Sequence, residues 1–246
     1  MNDSNVTTKC LNCGAVLSGP ICAQCGQKKA RPISINRLFN DFWTQLLELD
    51  FRVFVTLKML ALSPGILTRN YLDGKRLPYT NPFKLLFFVA TFYFLVLSYF
   101  DVSAAFSPED KETGKAVAAL LNYLIYFFLM PTALVLKWLF RQSKLNWSEC
   151  YVTLCYWWSG YLLIGAILAV MLQFNDEYFI FARAGAGLAF MFFAIYQMFT
   201  PTISALIWKT LLFYIGYYLS TFLVMTVIVV LANIVKYEPL MLNLNR

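Results

Sequence analysis

Long apolar runs dominate the chain from Pro82 onward, separated by short stretches that carry nearly all of the remaining charge. A run of about 20 apolar residues matches the hydrocarbon thickness of a bilayer. Inside lipid every backbone N–H and C=O must be satisfied within the protein, so such runs fold as helices. The spacing predicts five spans, at about 82–100, 117–136, 151–172, 178–199 and 211–235. Residues 184–235 contain a single charge, Lys209, so the last boundary rests on Thr200-Pro201 and the segment to Thr210 as a turn. A four-span alternative makes that region a re-entrant or interfacial pair. Composition agrees with a membrane protein: 60% of residues are hydrophobic and 13% charged, against roughly half and a quarter in ordinary globular chains.

Charge placement sets an expected orientation. Residues 1–84 hold 11 Lys or Arg against 5 Asp or Glu, which accounts for six of the net +7. By the positive-inside rule this segment lies in the cytosol. The loop with Lys137, Arg141 and Lys144 falls on the same side, and five spans put the C-terminus outside. The stretch Met1–Thr8 is polar, so no cleavable leader is expected. Histidine is absent, which removes Ser-His and Cys-His catalysis and histidine metal ligation.

Before the first span, residues 33–81 read as amphipathic juxtamembrane helices. Ser34 is the expected cap of a helix whose apolar stripe runs through Ile35, Leu38, Phe39, Phe42, Trp43, Leu46 and Leu47. A second helix is expected from about Phe51 to Leu62. Ser63-Pro64-Gly65 breaks and restarts the chain, and Gly74 stops a short helix ending near Leu72. Lys75, Arg76 and Lys84 beside an apolar run read as a membrane-surface anchor that contacts lipid headgroups. The Gly74-Lys75-Arg76 run lacks the remaining residues of a phosphate loop.

Residues 1–32 carry the most specific motif. Cys10-x2-Cys13-Gly14 and Cys22-x2-Cys25-Gly26 form C-x2-C-x8-C-x2-C, with Gly19-Pro20 between the pairs to reverse the chain. The two-residue spacing lets both thiols of a pair reach one ion, and four thiolates make a closed structural zinc site. The ligand set alone also admits iron. A pair of disulfides or a redox dithiol fits poorly with a cytosolic, basic flank. Lys9, Lys28, Lys29 and Arg31 could meet phosphate, but solvated charge on a membrane-proximal cap is the simpler reading, and nucleic acid is not an expected partner.

The other polar residues point to packing. Cys150 and Cys155 diverge on one helix and read as small buried residues. Asn122, Gln197 and Asn233 are candidates for interhelical hydrogen bonds, and the small-residue run Ala182–Ala189 for close helix contact. Arg183 is expected to snorkel to headgroups, with a substrate or lipid contact as the sharper alternative. No carboxylate lies centrally in a predicted span, which disfavours ion-coupled transport.

Taken together the residues resemble a family of bacterial membrane proteins known as domain of unknown function 3667. The resemblance rests on Cys22-Ala-Gln-Cys25-Gly26-Gln27, on Ser63-Pro64-Gly65 through Asn70-Tyr71-Leu72-Asp73-Gly74-Lys75-Arg76, and on Tyr79 and Pro82. It covers about residues 10–90 and implies a ribbon-bearing membrane protein without a stated activity. The expected fold is therefore an all-α polytopic membrane protein with about five transmembrane helices, amphipathic interfacial helices and a small N-terminal zinc ribbon. The expected organisation is residues 1–32 as ribbon, 33–81 as juxtamembrane helices and 82–246 as bundle. The expected role is a non-enzymatic scaffold in the bacterial inner membrane, binding a cytosolic protein or anionic lipid. A transporter or permease component is the alternative, an intramembrane lipid enzyme the weakest reading, and an oligomer contact is left open.

Overall fold

The computed structural model describes residues 9–45, 51–99, 111–171, 176–200 and 202–244. It is all-helical apart from two isolated β-bridges in the cysteine-rich segment. Eight α-helices follow: α1 (Ile35–Gln45), α2 (Arg52–Leu62), α3 (Pro64–Leu72), α4 (Pro82–Tyr99), α5 (Lys111–Leu139), α6 (Trp147–Met171), α7 (Asp176–Phe199) and α8 (Ile203–Leu244). Four helices are long and apolar enough to cross a membrane, namely α4, α6, α7 from Tyr178 and α8 as far as Ile228. The apolar part described for α5, Leu124–Leu139, is shorter. The α1 stripe is described as far as Gln45, and Leu46 and Leu47 lie outside the described residues.

Helix α6 is the centre. Every residue from Cys150 to Gly160 is buried, so this helix is surrounded by protein on all sides. It contacts α2, α3, α4, α5 and α7. Its start is fixed by a reciprocal cap. Glu149 N donates to Asn146 Oδ1 and Asn146 N donates to Glu149 Oε2, each at 2.8 Å. This Asn-x-x-Glu cap begins the helix at Trp147, a turn before the apolar run at Tyr151 suggests. Cys150 and Cys155 are both free and buried, as expected.

Small residues set the remaining helix contacts. A Cβ on Gly160 would meet the Phe190 ring at 2.3 Å, and one on Gly187 would meet Tyr161 at 2.4 Å, so α6 and α7 each recess a glycine for the other's ring. In the expected small-residue run Gly187 serves this contact directly. Ala184, Gly185 and Ala189 face outward. Between α5 and α8, Thr132 and Ser220 share a hydrogen bond of 2.8 Å. The buried residues of α8 are Leu206, Thr210, Phe213 and Ser220, flanked by half-buried Tyr214 and Tyr217, and much of its remaining described surface is exposed and apolar. Asn122 and Asn233 lie outside the residues whose side chains are described.

The turn before α8 differs from expectation. It closes within three residues, because Thr200 adopts a positive φ of 42° and the helix restarts at Ile203. Lys209 therefore lies inside α8 and not in a loop. Its ammonium sits 4.6 Å from the centroid of the Phe140 ring, which itself stacks on Phe199 at 3.9 Å. A cation held against an aromatic face is tolerated in a helix that sequence charge alone places outside it.

Candidate functional site

The four cysteines of the N-terminal motif converge. Their sulfurs all lie within 4.8 Å of one another, with Cys10–Cys25 at 3.7 Å and Cys13–Cys22 at 3.6 Å. Four sulfurs at about 2.3 Å from one tetrahedral ion stand about 3.8 Å apart, so the cluster has the size of a metal cage. All four are free thiols. Two equivalent knuckles build it. Cys10 N donates to Ala15 O and Gly14 N to Cys10 O, and twelve residues later Cys22 N donates to Gln27 O and Gly26 N to Cys22 O. Gly14 and Gly26 take φ of 78° and 76°, the left-handed turn that glycine accommodates without strain. The bridges Lys9–Val16 and Ile21–Lys28 close the two knuckles in the same register.

The cluster's electrostatics favour a cation. Backbone N–H groups, of Cys25 and Gln24 at Cys22 and of Gln27 at Cys25, pull those two thiols below their usual range. At Cys13 the Ala15 amide also pulls down. Desolvation and the facing sulfurs of Cys25, Cys22 and Cys10 outweigh it and push that thiol up to about 12. Like charges this close do not all form without compensation, and a divalent ion supplies it. These four residues could hold a metal ion.

The two knuckles share their cysteines, their glycine and their backbone bonds, and differ in the side chains between. Where the first knuckle has Ala15, the second has Gln27, and Gln27 is 5% exposed. Its Nε2 donates to Gly74 O at 2.9 Å, and its Oε1 accepts from Arg76 N and Leu77 N at 3.1 Å each. One side chain thus clamps the ribbon to the turn after α3. Gly74 has φ of 98°, and a Cβ there would lie 2.5 Å from Leu11 and 3.3 Å from Ala30, so the ribbon lies directly against it. Arg76 adds a second tie by donating Nη1 to Arg31 O at 3.0 Å.

That turn belongs to a block wired into the bundle. Gly65 approaches α7 so closely that a Cβ would lie 2.5 Å from Met198 N and 2.7 Å from Ala194 O. Gly65 N donates to Gln197 Oε1 at 3.1 Å, the interhelical bond expected of Gln197, and Arg69 Nη2 donates to Met198 O. Tyr71 packs edge-on against Tyr156 of α6, whose hydroxyl donates to Thr80 O at 2.6 Å. Thr80 N in turn donates to Thr56 Oγ1 of α2 at 2.9 Å. Residues 50–94 match the family model described as Protein of unknown function (DUF3667). The family resemblance holds over that block. The cysteine motif lies ahead of the DUF3667 match, which spans α2, α3, the clamped turn and most of α4. No curated protein and no solved structure matches the chain.

The three expected headgroup contacts separate in the structure. Lys75 is exposed, and Arg76 is half-buried with its guanidinium committed to Arg31 O and Tyr71 O. Lys84 is 2% exposed and lines an apolar cavity of about 580 Å³ between α2 and α4, with Phe54, Phe88 and Phe92 among the walls. Gln27 was legible only as the residue that follows the second Cys-x2-Cys-Gly knuckle. Its partners, 47 to 50 residues away, were not.

Proposed function

We propose that this is a non-enzymatic protein of the bacterial inner membrane whose zinc-loaded ribbon, on the cytosolic side, serves as a docking platform for a protein partner. The Gln27 clamp carries this reading, because it fixes the ribbon on the membrane bundle as one surface instead of leaving it on a tether. Zinc is the expected ion for four thiolates in a closed site. The outward face offers Val16 and Ile21, both more than half exposed, beside Lys9, Lys28 and Lys29. That mixture suits a partner with apolar and acidic side chains. Lys75 and the exposed apolar side of α2, where Phe51 is 87% exposed and Phe54 70%, suit contact with anionic lipid at the interface.

The test is crosslinked co-purification of the full chain from native membranes. Cys13→Ser with Cys25→Ser, and separately Val16→Glu with Ile21→Glu, are expected to lose the partners recovered with the wild type. The second pair keeps the metal. Undiminished recovery with both variants, at equal protein abundance, rejects the platform role.

A further inference from the structure

Arg183 is half-buried near the start of α7. It is five residues into the apolar part of α7, which begins at Tyr178, or roughly 8 Å along the helix axis. It precedes Gln197, the α3 contact, by 14 residues, or about 21 Å, so it sits toward the end of the bundle away from the ribbon. Its guanidinium carbon is 5.0 Å from the centroid of the Tyr93 ring on α4 and 4.9 Å from that of Tyr161 on α6. Gly165 makes room for this arrangement. A Cβ there would lie 3.0 Å from the Tyr93 ring and 3.3 Å from Arg183 Nε.

Two ring faces stabilise the charge in part and supply no acceptor for Nε. Among the described residues, Arg183 Nε and Tyr93 Oη are enclosed and have no hydrogen-bond partner, although Tyr93 is only 3% exposed. An enclosed donor without an acceptor is costly, and among the described residues no carboxylate pairs with this charge. A snorkelling arginine extends freely, whereas this one is packed against two tyrosines from different helices. The geometry points to an oxyanion site in which Arg183 binds the phosphate of an anionic phospholipid headgroup and Tyr93 Oη donates a second hydrogen bond. The depth suits a headgroup drawn into the edge of the bundle, and a guanidinium fork suits phosphate. Neither the ribbon nor its metal takes part.

The full chain is placed in nanodiscs of phosphatidylcholine alone or with phosphatidylglycerol. Thermal unfolding and the number of phosphatidylglycerol molecules retained in native mass spectrometry are the readouts. For the wild type, phosphatidylglycerol raises the unfolding midpoint and at least one molecule is retained. Arg183→Gln weakens retention about tenfold, the loss expected for one charge-assisted contact, and Tyr93→Phe weakens it severalfold. If inorganic phosphate in phosphatidylcholine discs gives the same rise, and Arg183→Gln abolishes it, the site holds but its ligand comes from solution. Should Arg183→Gln fail to accumulate, Arg183→Lys keeps the charge without the fork and is expected to show the same weakening. Wild-type retention and midpoint shift in Tyr93→Phe and either arginine variant overturn the proposal.

Discussion

Replacing Gln27 with alanine tests how the ribbon is held. The substitution removes three hydrogen bonds, of 2.9, 3.1 and 3.1 Å, from a side chain that is 5% exposed. At about 1 kcal/mol net for each neutral bond, docking loses about 3 kcal/mol, partly offset where water reaches the freed amides. A loss of 3 kcal/mol raises the undocked population by about two orders of magnitude. The cysteine cage does not use the Gln27 side chain, so metal content is expected to stay at the wild-type level. Hydrogen exchange of the full chain in nanodiscs reads the effect directly, since two of the three bonds are donated by the Arg76 and Leu77 amides. Faster exchange over 74–77, with α6 unchanged, is the expected outcome. Wild-type protection of those amides in Gln27→Ala refutes the clamp.

Gly65→Ala sets a Cβ against backbone atoms of α7 that cannot rotate away. Overpacking of this kind costs about 1–3 kcal/mol, and a lowered unfolding midpoint with loss of the α3–α7 contact is expected in a thermal scan. Thr132→Val deletes the bond to Ser220, and interhelical bonds in membranes average about 0.6 kcal/mol. A denaturation shift of that size is expected, and a shift several times larger would mean that the valine disturbs packing as well. Metal retention depends on pH in a defined direction. The Cys13 thiol, pushed up to about 12, carries a proton in the metal-free ribbon at neutral pH and loses it on binding. Lowering the pH therefore favours the metal-free form, and competition with a chelator is expected to succeed more readily at about pH 5 than at about pH 7.

The membrane class, the helices and the four-thiol cluster were legible because each depends on local pattern. Apolar length marks a span, Pro64 and Gly74 mark the limits of α3, and paired C-x2-C-Gly knuckles mark a thiol cage. Boundaries were less legible. The start of α6 depends on a cap at Asn146 and Glu149 outside the apolar run, and α8 absorbs Lys209 because the Phe140 ring receives its charge. Long-range contacts were the least legible. Nothing near Gln27 indicates that it meets residues 74–77, and nothing near Arg183 indicates that tyrosines from α4 and α6 enclose it. Lys84 shows the same limit, since its sequence neighbours suggest a surface anchor and the fold buries it.

X-ray absorption of the purified full chain at the metal edge tests the central claim most directly. One zinc per chain surrounded by four sulfurs at about 2.3 Å is the expected result. A chain without stoichiometric metal, or with oxygen or nitrogen in place of any of the four sulfurs, would contradict a ribbon built on Cys10, Cys13, Cys22 and Cys25.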